Sequence, residues 1–297
     1  MTDAVLPSAA GWTGHNGPPL KFGSEEHKAL FCTTLLDTFD PYKPAVIDWP
    51  ELSPDALERL ITLPIWDIAV QTEGKAGLRV KTYAALVDDP LLKKAVELNA
   101  FEESRHKHVL SNLVEAYGIK LAPEPEYKVP RDPEWAFMVT GFSECIDSFF
   151  AFGLFEHAKR SGFFPEELVD TFEPVVREES RHILFFVNWV AWKRATMPLW
   201  RRPWFEARVL GVWLFLIWER IGIAGDLDGG PKQDNSFTVN GASHVGAEIE
   251  LAGLIDVCLS ENDRRLGLYD PRLRRPTFVP AMARLARRFL KPAKASA

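Results

Sequence analysis

The stretches ELNAFEESRHKHVL (97–110) and VVREESRHILFF (175–186) share the pentapeptide EESRH, at 102–106 and again at 178–182. In each copy a Glu stands three residues before a His: Glu103 with His106, and Glu179 with His182. Residues three apart on a helix share a face, so each pair directs its carboxylate and imidazole the same way. That face is apolar. Leu92, Val96, Ala100 and Leu110 share it with Glu103; Val175, Val176, Ile183, Phe186 and Val190 share it with Glu179. A carboxylate on such a stripe is costly to bury unless it is paired or binds a cation. Glu102 and Glu178 fall off the stripe. They are expected to pair within their own helices, with Arg105 and Arg181, on solvated faces.

Working outward, each copy closes a helical hairpin. The first hairpin turns at Asp88-Asp89. Counting back as far as Glu103 lies ahead reaches Glu73, whose same-face neighbours Ala69, Val70, Ala76, Gly77 and Val80 are apolar or small. The second turns at Gly162, 17 residues before Glu179, and the same step backwards reaches Cys145, beside Glu144. Asp147, three after Glu144, shares its face and is the alternative, as ligand or as an orienting group for an imidazole. Two like hairpins, roughly 70 to 76 residues apart, make an internal duplication. A lone Glu on each of two helices, with Glu-x-x-His on each of two more, is the inward-facing set of the di-iron and di-manganese four-helix bundles. Four carboxylates and two imidazoles can hold two divalent first-row ions. The segment 118–132, with its prolines, is long enough to cross the length of such a bundle.

On these residues the chain resembles the ferritin-like di-metal carboxylate superfamily. The doubled Glu-Glu-x-Arg-His wording is nearest to oxygen-activating members such as the acyl-carrier-protein desaturases. The resemblance covers residues 64 to 196; the segments outside it carry no motif of one subfamily. It implies a ligand set of Glu73, Glu103, His106, Glu144, Glu179 and His182, with Glu103 and Glu179 bridging. It also implies two iron ions, or iron with manganese, as cofactor, O2 as co-substrate, and an electron donor. The expected fold is all-α: a ferritin-like four-helix bundle built from two helical hairpins, with extra N- and C-terminal helices. Three segments are expected: an arm and short helices at 1–63, the bundle at 64–197, and a helical extension with a basic tail at 198–297.

The rest of the sequence narrows the function. Lys+Arg 35 against Asp+Glu 41 leaves a net charge of −6, which argues against nucleic acid. The basic residues crowd the end: residues 271–297 hold eight and no acid, most simply a solvated helix and tail, with docking to an acidic surface or membrane as the minority reading. Cys32, Cys145 and Cys258 are far apart, so neither a disulfide framework nor a thiolate zinc site is expected. The N-terminus lacks the features of a signal peptide, and the run VLGVWLFLIW (209–218) is too short to span a bilayer. The expectation is a cytoplasmic protein without a transmembrane segment.

Helices are expected at 24–39, 54–63, 64–87, 90–117, 133–160, 165–196 (kinked at Pro174), 204–223, 249–266 and 281–290, with a loose arm at 1–23 and a polar loop at 225–246. His15, His27, His108, His157 and His244 have no partner at ligand spacing and read as surface or structural residues. No tyrosine falls at a spacing beside the metals. The rings Phe149, Phe150, Phe152, Phe155, Phe163 and Phe164 read first as core, and some as the wall of an apolar channel. The functional expectation is a di-metal oxidase or oxygenase acting on a hydrophobic or aromatic small molecule, with a homodimer as one assembly to expect. The alternative is a ferroxidase or iron store without an organic substrate.

Overall fold

A computed structural model describes residues 19–220 and 250–290. Residues 1–18 of the arm expected at 1–23, the loop at 225–246, the tail at 291–297, His15 and His244 lie outside the described residues. Among those residues there are ten α-helices and no strand: α1 Glu25–Asp37, α2 Pro54–Thr62, α3 Trp66–Ala84, α4 Pro90–Ala116, α5 Pro133–Ser161, α6 Glu166–Thr171, α7 Glu173–Thr196, α8 Arg202–Arg220, α9 Leu251–Leu266 and α10 Phe278–Phe289.

Local chemistry sets the boundaries. Ser24, Ser53, Asp89 and Asp132 each accept a hydrogen bond from a backbone N–H of the first turn they cap, and Pro54, Pro90 and Pro133 follow three of these caps. Gly162 ends α5 with φ +65°, a left-handed turn that glycine adopts without a Cβ penalty. One expectation is corrected at Pro174. Instead of one kinked helix over 165–196 there are two, parted at Phe172, with Pro174 in the first turn of α7, where its missing N–H costs no hydrogen bond.

The chain direction follows from which ends meet. Tyr83, late in α3, stacks on Phe137, early in α5, at 4.4 Å. Trp189, late in α7, meets both rings. So α3 and α7 run one way, α4 and α5 the other. The stretch between α4 and α5 returns along α3: the Ala122 N–H donates to Asp67 at 2.8 Å, and Tyr127 lies so close to Gly74 that a Cβ there would be 2.7 Å from its ring. Of the four long helices, α3 packs on α4 and α5, and α7 packs on α5 and α4.

The flanking helices are part of the same core. α1 lies against both α4 and α7, and its Phe31, Cys32 and Leu35 join one apolar cluster with Val96, Phe152, Phe186, Trp189 and, from α8, Val212 and Leu216. α9 packs along α5, where Cys258 fills the space left by Gly153. By length and composition α5 could cross a bilayer, yet most of it is buried inside the molecule.

Candidate metal centre

The four long helices carry six side chains to one point: α3 brings Glu73, α4 Glu103 and His106, α5 Glu144, α7 Glu179 and His182. In one group, an atom each from Glu73, Glu103, His106 and Glu179 lies within 4.8 Å of every other; in a second, Glu103, Glu144 and His182 do the same. Glu103 belongs to both. Glu179, expected as the other bridge, falls in the first group only.

Each imidazole is held from behind. His106 directs Nδ1 toward Glu179 (3.1 Å) and Glu73 (3.6 Å), while Nε2 meets Glu178 at 2.9 Å. His182 directs Nδ1 toward Glu103 (2.8 Å), and Nε2 meets Glu102, also at 2.8 Å. Carboxylates thus face both nitrogens of each ring; with a cation on the near side, the one behind would hold the proton on Nε2 and leave Nδ1 free to bind. The carboxylate always comes from the other copy of EESRH.

The arginines follow the same exchange. Arg181 donates to Glu102 at 2.8 Å and Arg105 donates to Glu178. Their approaches to the acids of their own helices are longer, 3.5 Å for Arg181 to Glu178 and 3.7 Å for Arg105 to Glu102. The expected solvated intrahelical pairs are thus corrected. Glu102, Arg105, Glu178 and Arg181 are all at most 4 % exposed, because α1 and the residues after it cover that side. Arg181 caps the carbonyl of Leu35, and Arg105 those of Asp40 and Tyr42. The two Glu and two Arg form a neutral layer behind the six.

Tyr42 also escaped the sequence reading. Its hydroxyl donates to Glu178 at 3.4 Å, and its ring lies under the Arg105 guanidinium at 3.9 Å. No helical spacing signals it, since it sits in an irregular segment. Asp147, the alternative to Glu144, is in neither group; it pairs with Arg220 at 2.8 Å and accepts from Ser143. Ser148 donates to Glu179 at 3.2 Å. Of the set-aside histidines, His27 is a buried structural residue bonded to Asn188, and His108 is exposed.

Charge balance argues for cations. Burial pushes Glu73 up to about 7, against the pull of His106. Glu144 is raised well above the ordinary carboxylate range by burial and by Glu103 and Glu179. Burial would lower both imidazoles, yet the surrounding carboxylates hold each well above the usual histidine value. Behind them, burial is outweighed at Glu102, which His182 and Arg181 hold at about 2. Glu179 goes the other way: burial is outweighed there by His106 and His182, which hold it below the ordinary carboxylate value. Glu73, Glu144 and the two imidazoles thus hold protons more tightly than free groups do, as expected of groups competing for positive charge.

Nδ1 of His106, Nδ1 of His182 and Oε1 of Glu103 are buried without a well-formed hydrogen bond, although Nδ1 of His182 and Oε1 of Glu103 lie only 2.8 Å apart. Other buried polar atoms, Nδ2 of Asn99 and Nε1 of Trp189 among them, share that state; these three are the ones carried by the clustered residues. The residues fit a pair of divalent ions: four negative charges for four positive, and an oxygen–nitrogen donor set suited to first-row metals.

A cavity of about 300 Å³ opens on the cluster, with Glu73, Glu103, His106, Glu144 and Glu179 in its wall. It runs past Trp66, Phe152, Phe155 and Phe172 to the end closed by Leu60 of α2 and Leu168 of α6; Arg79, Asp147, Glu219 and Arg220 border it near α8. Glu73 and Glu179 keep 22 % and 16 % of their side-chain surface, and the space they face is this cavity. Phe152, Phe155 and Phe164 line it, whereas Phe149 packs toward α9.

Compared with protein-family models, curated proteins and solved structures, the chain gives no match.

Proposed function

We propose that this chain is a ferritin-like di-metal carboxylate protein, its site holding two iron ions or iron with manganese, and that it oxidises an apolar small molecule with O2. One observation carries the reading: an inward-facing set of four carboxylates and two imidazoles borders an apolar cavity large enough for an organic molecule. Glu103 would lie between the ions, with Glu73, His106 and Glu179 on one side and Glu144 and His182 on the other. Two reduced ions so held would pass electrons to O2 together, an external donor restoring them.

The protein's own part is positional. Glu102 and Glu178 hold the imidazole protons on Nε2, so Nδ1 stays available. Ser148 orients Glu179. Phe152, Phe155, Phe172 and Val176 keep water from the site and receive the substrate. A store of iron would have no use for this apolar space, which favours an enzyme over the ferroxidase alternative.

Metal analysis of the native protein tests the first half: about two first-row ions per chain are expected, against none if the cluster is structural. Mixing the anaerobic ferrous protein with O2 tests the second. Rapid O2 uptake with an absorbance transient supports the reading, and inertness toward O2 removes it.

A further inference from the structure

Two helices carry apolar stripes that no described residue covers. On α8, Leu210, Leu214, Ile217 and Trp218 recur at helical spacing, 43 to 60 % exposed, while Phe205, Val212 and Leu216 form the buried side. On α10, Phe278, Met282, Leu285 and Phe289 repeat the pattern at 43 to 82 % exposure. The opposite side of α10 lays Val279 and Ala283 on the Phe149–Leu254–Cys258 cluster. The stripes meet where Trp213 packs on Phe278, ring centres 4.5 Å apart. At the start of α8, Trp204 and the preceding Trp200 are 70 and 73 % exposed, the latter under Arg201.

From the structure we infer that this face docks on an anionic lipid bilayer. A helix with Phe, Leu and Met on one side and only basic charge on the other is built to lie in a membrane interface. α10 is such a helix. Arg284, Arg287 and Arg288 are its only charges, and no acid occurs anywhere in residues 271–297. Indoles add to this, since an amphipathic ring settles at headgroup depth. Arg284 and Arg287 also reach Asp263 and Asp256 on α9, which fixes the helix and leaves Arg288 exposed beside the stripe. A second copy docked symmetrically on this face would set Arg288 near its own counterpart, whereas an anionic headgroup neutralises it.

Co-sedimentation of the full chain with vesicles tests the docking whether or not metal is bound. Phosphatidylcholine vesicles are compared with vesicles containing about 30 % phosphatidylglycerol. Binding is expected to the anionic vesicles, weakened by salt, and reduced about tenfold or more in Met282→Glu/Leu285→Glu with unchanged circular dichroism and thermal midpoint. Should that variant fold poorly, Phe289→Ser with Arg288→Gln gives the same reading. Failure of the wild type to bind anionic vesicles overturns the proposal, as does binding that these substitutions leave unchanged. A lipid-independent dimer dissolved by the substitutions, without vesicle binding, assigns the face to a second copy instead. None of these outcomes depends on O2 chemistry, so the docking and the proposed reaction fail separately.

Discussion

Glu102 and Glu178 do not line the cavity beside the cluster and belong to neither candidate ligand group, yet each bonds the imidazole that the opposite copy supplies. Glu102→Gln should keep the shape and lose the charge. We expect a drop in metal affinity of about 10- to 100-fold, read by competition with a chelator, with little change in helical content. Glu178→Gln should act alike through His106. Proton competition gives a second expectation. Glu73 has an unfolded value of 4.5 and a folded value of about 7, so the folded state holds the extra proton between them and loses stability as pH rises through that window. The two imidazoles, raised in the folded state, lose their contribution in the same direction, as pH climbs from 6.5 through their folded values. Glu102 works oppositely: held at about 2, its contribution is present above 4.5 and lost only as pH falls toward 2. Chelator-treated protein should therefore melt highest in mild acid and progressively lower toward pH 8, and metal affinity should rise over the same range. A flat melting profile would contradict the charge balance described above. The six clustered residues were legible because they lie on apolar stripes, where an acid is conspicuous, and because a hairpin equates distances from its turn. The supporting acids were not. Spacing along one helix ties Glu102 to Arg105, whereas the stronger partner Arg181 is set by how α4 and α7 are rotated toward each other, which no single-helix pattern encodes.

Among the elements, α5 comes close to α7 at Gly141, where a Cβ would lie 2.2 Å from the ring of Phe186. Gly141→Ala should cost about 1–3 kcal/mol in denaturant unfolding, since Phe186 is wedged between Phe137, Phe142 and Trp189 and has nowhere to move. Asp147 poses the reverse test. Pairing with Arg220 ties α5 to α8, so Asp147→Asn should leave metal content unchanged, whereas Glu144→Gln should lower it. Equal metal loss in both would restore the ligand role for Asp147. Helix positions were readable from caps and prolines, and Pro174 was misjudged only in its effect. Pro165 and Pro174 both fit first turns; choosing two helices over one kinked helix depends on Leu168 and Val169 being buried as a cap over the cavity end, a tertiary demand. The placement of α1 was equally silent, because nothing in its sequence says that Leu35 must offer its carbonyl to Arg181.

For the molecule as a whole, cations bound only by the folded state should raise its stability by mass action, about 2.7 kcal/mol per site at a hundredfold excess over Kd. Adding Mn2+ or Fe2+ to chelated protein should accordingly shift the thermal midpoint upward, and Glu103→Gln, which removes the residue common to both groups, should abolish most of that shift. The reciprocal ownership of Glu102 and Glu178 reaches further, into biogenesis. Neither half of the duplication possesses a finished coordination sphere, so a nascent chain that has emerged only through α4 would be a poor chelator. On the proposed di-metal reading, loading would wait until the second half arrives and seats itself, and bound ions would then mark a completed assembly.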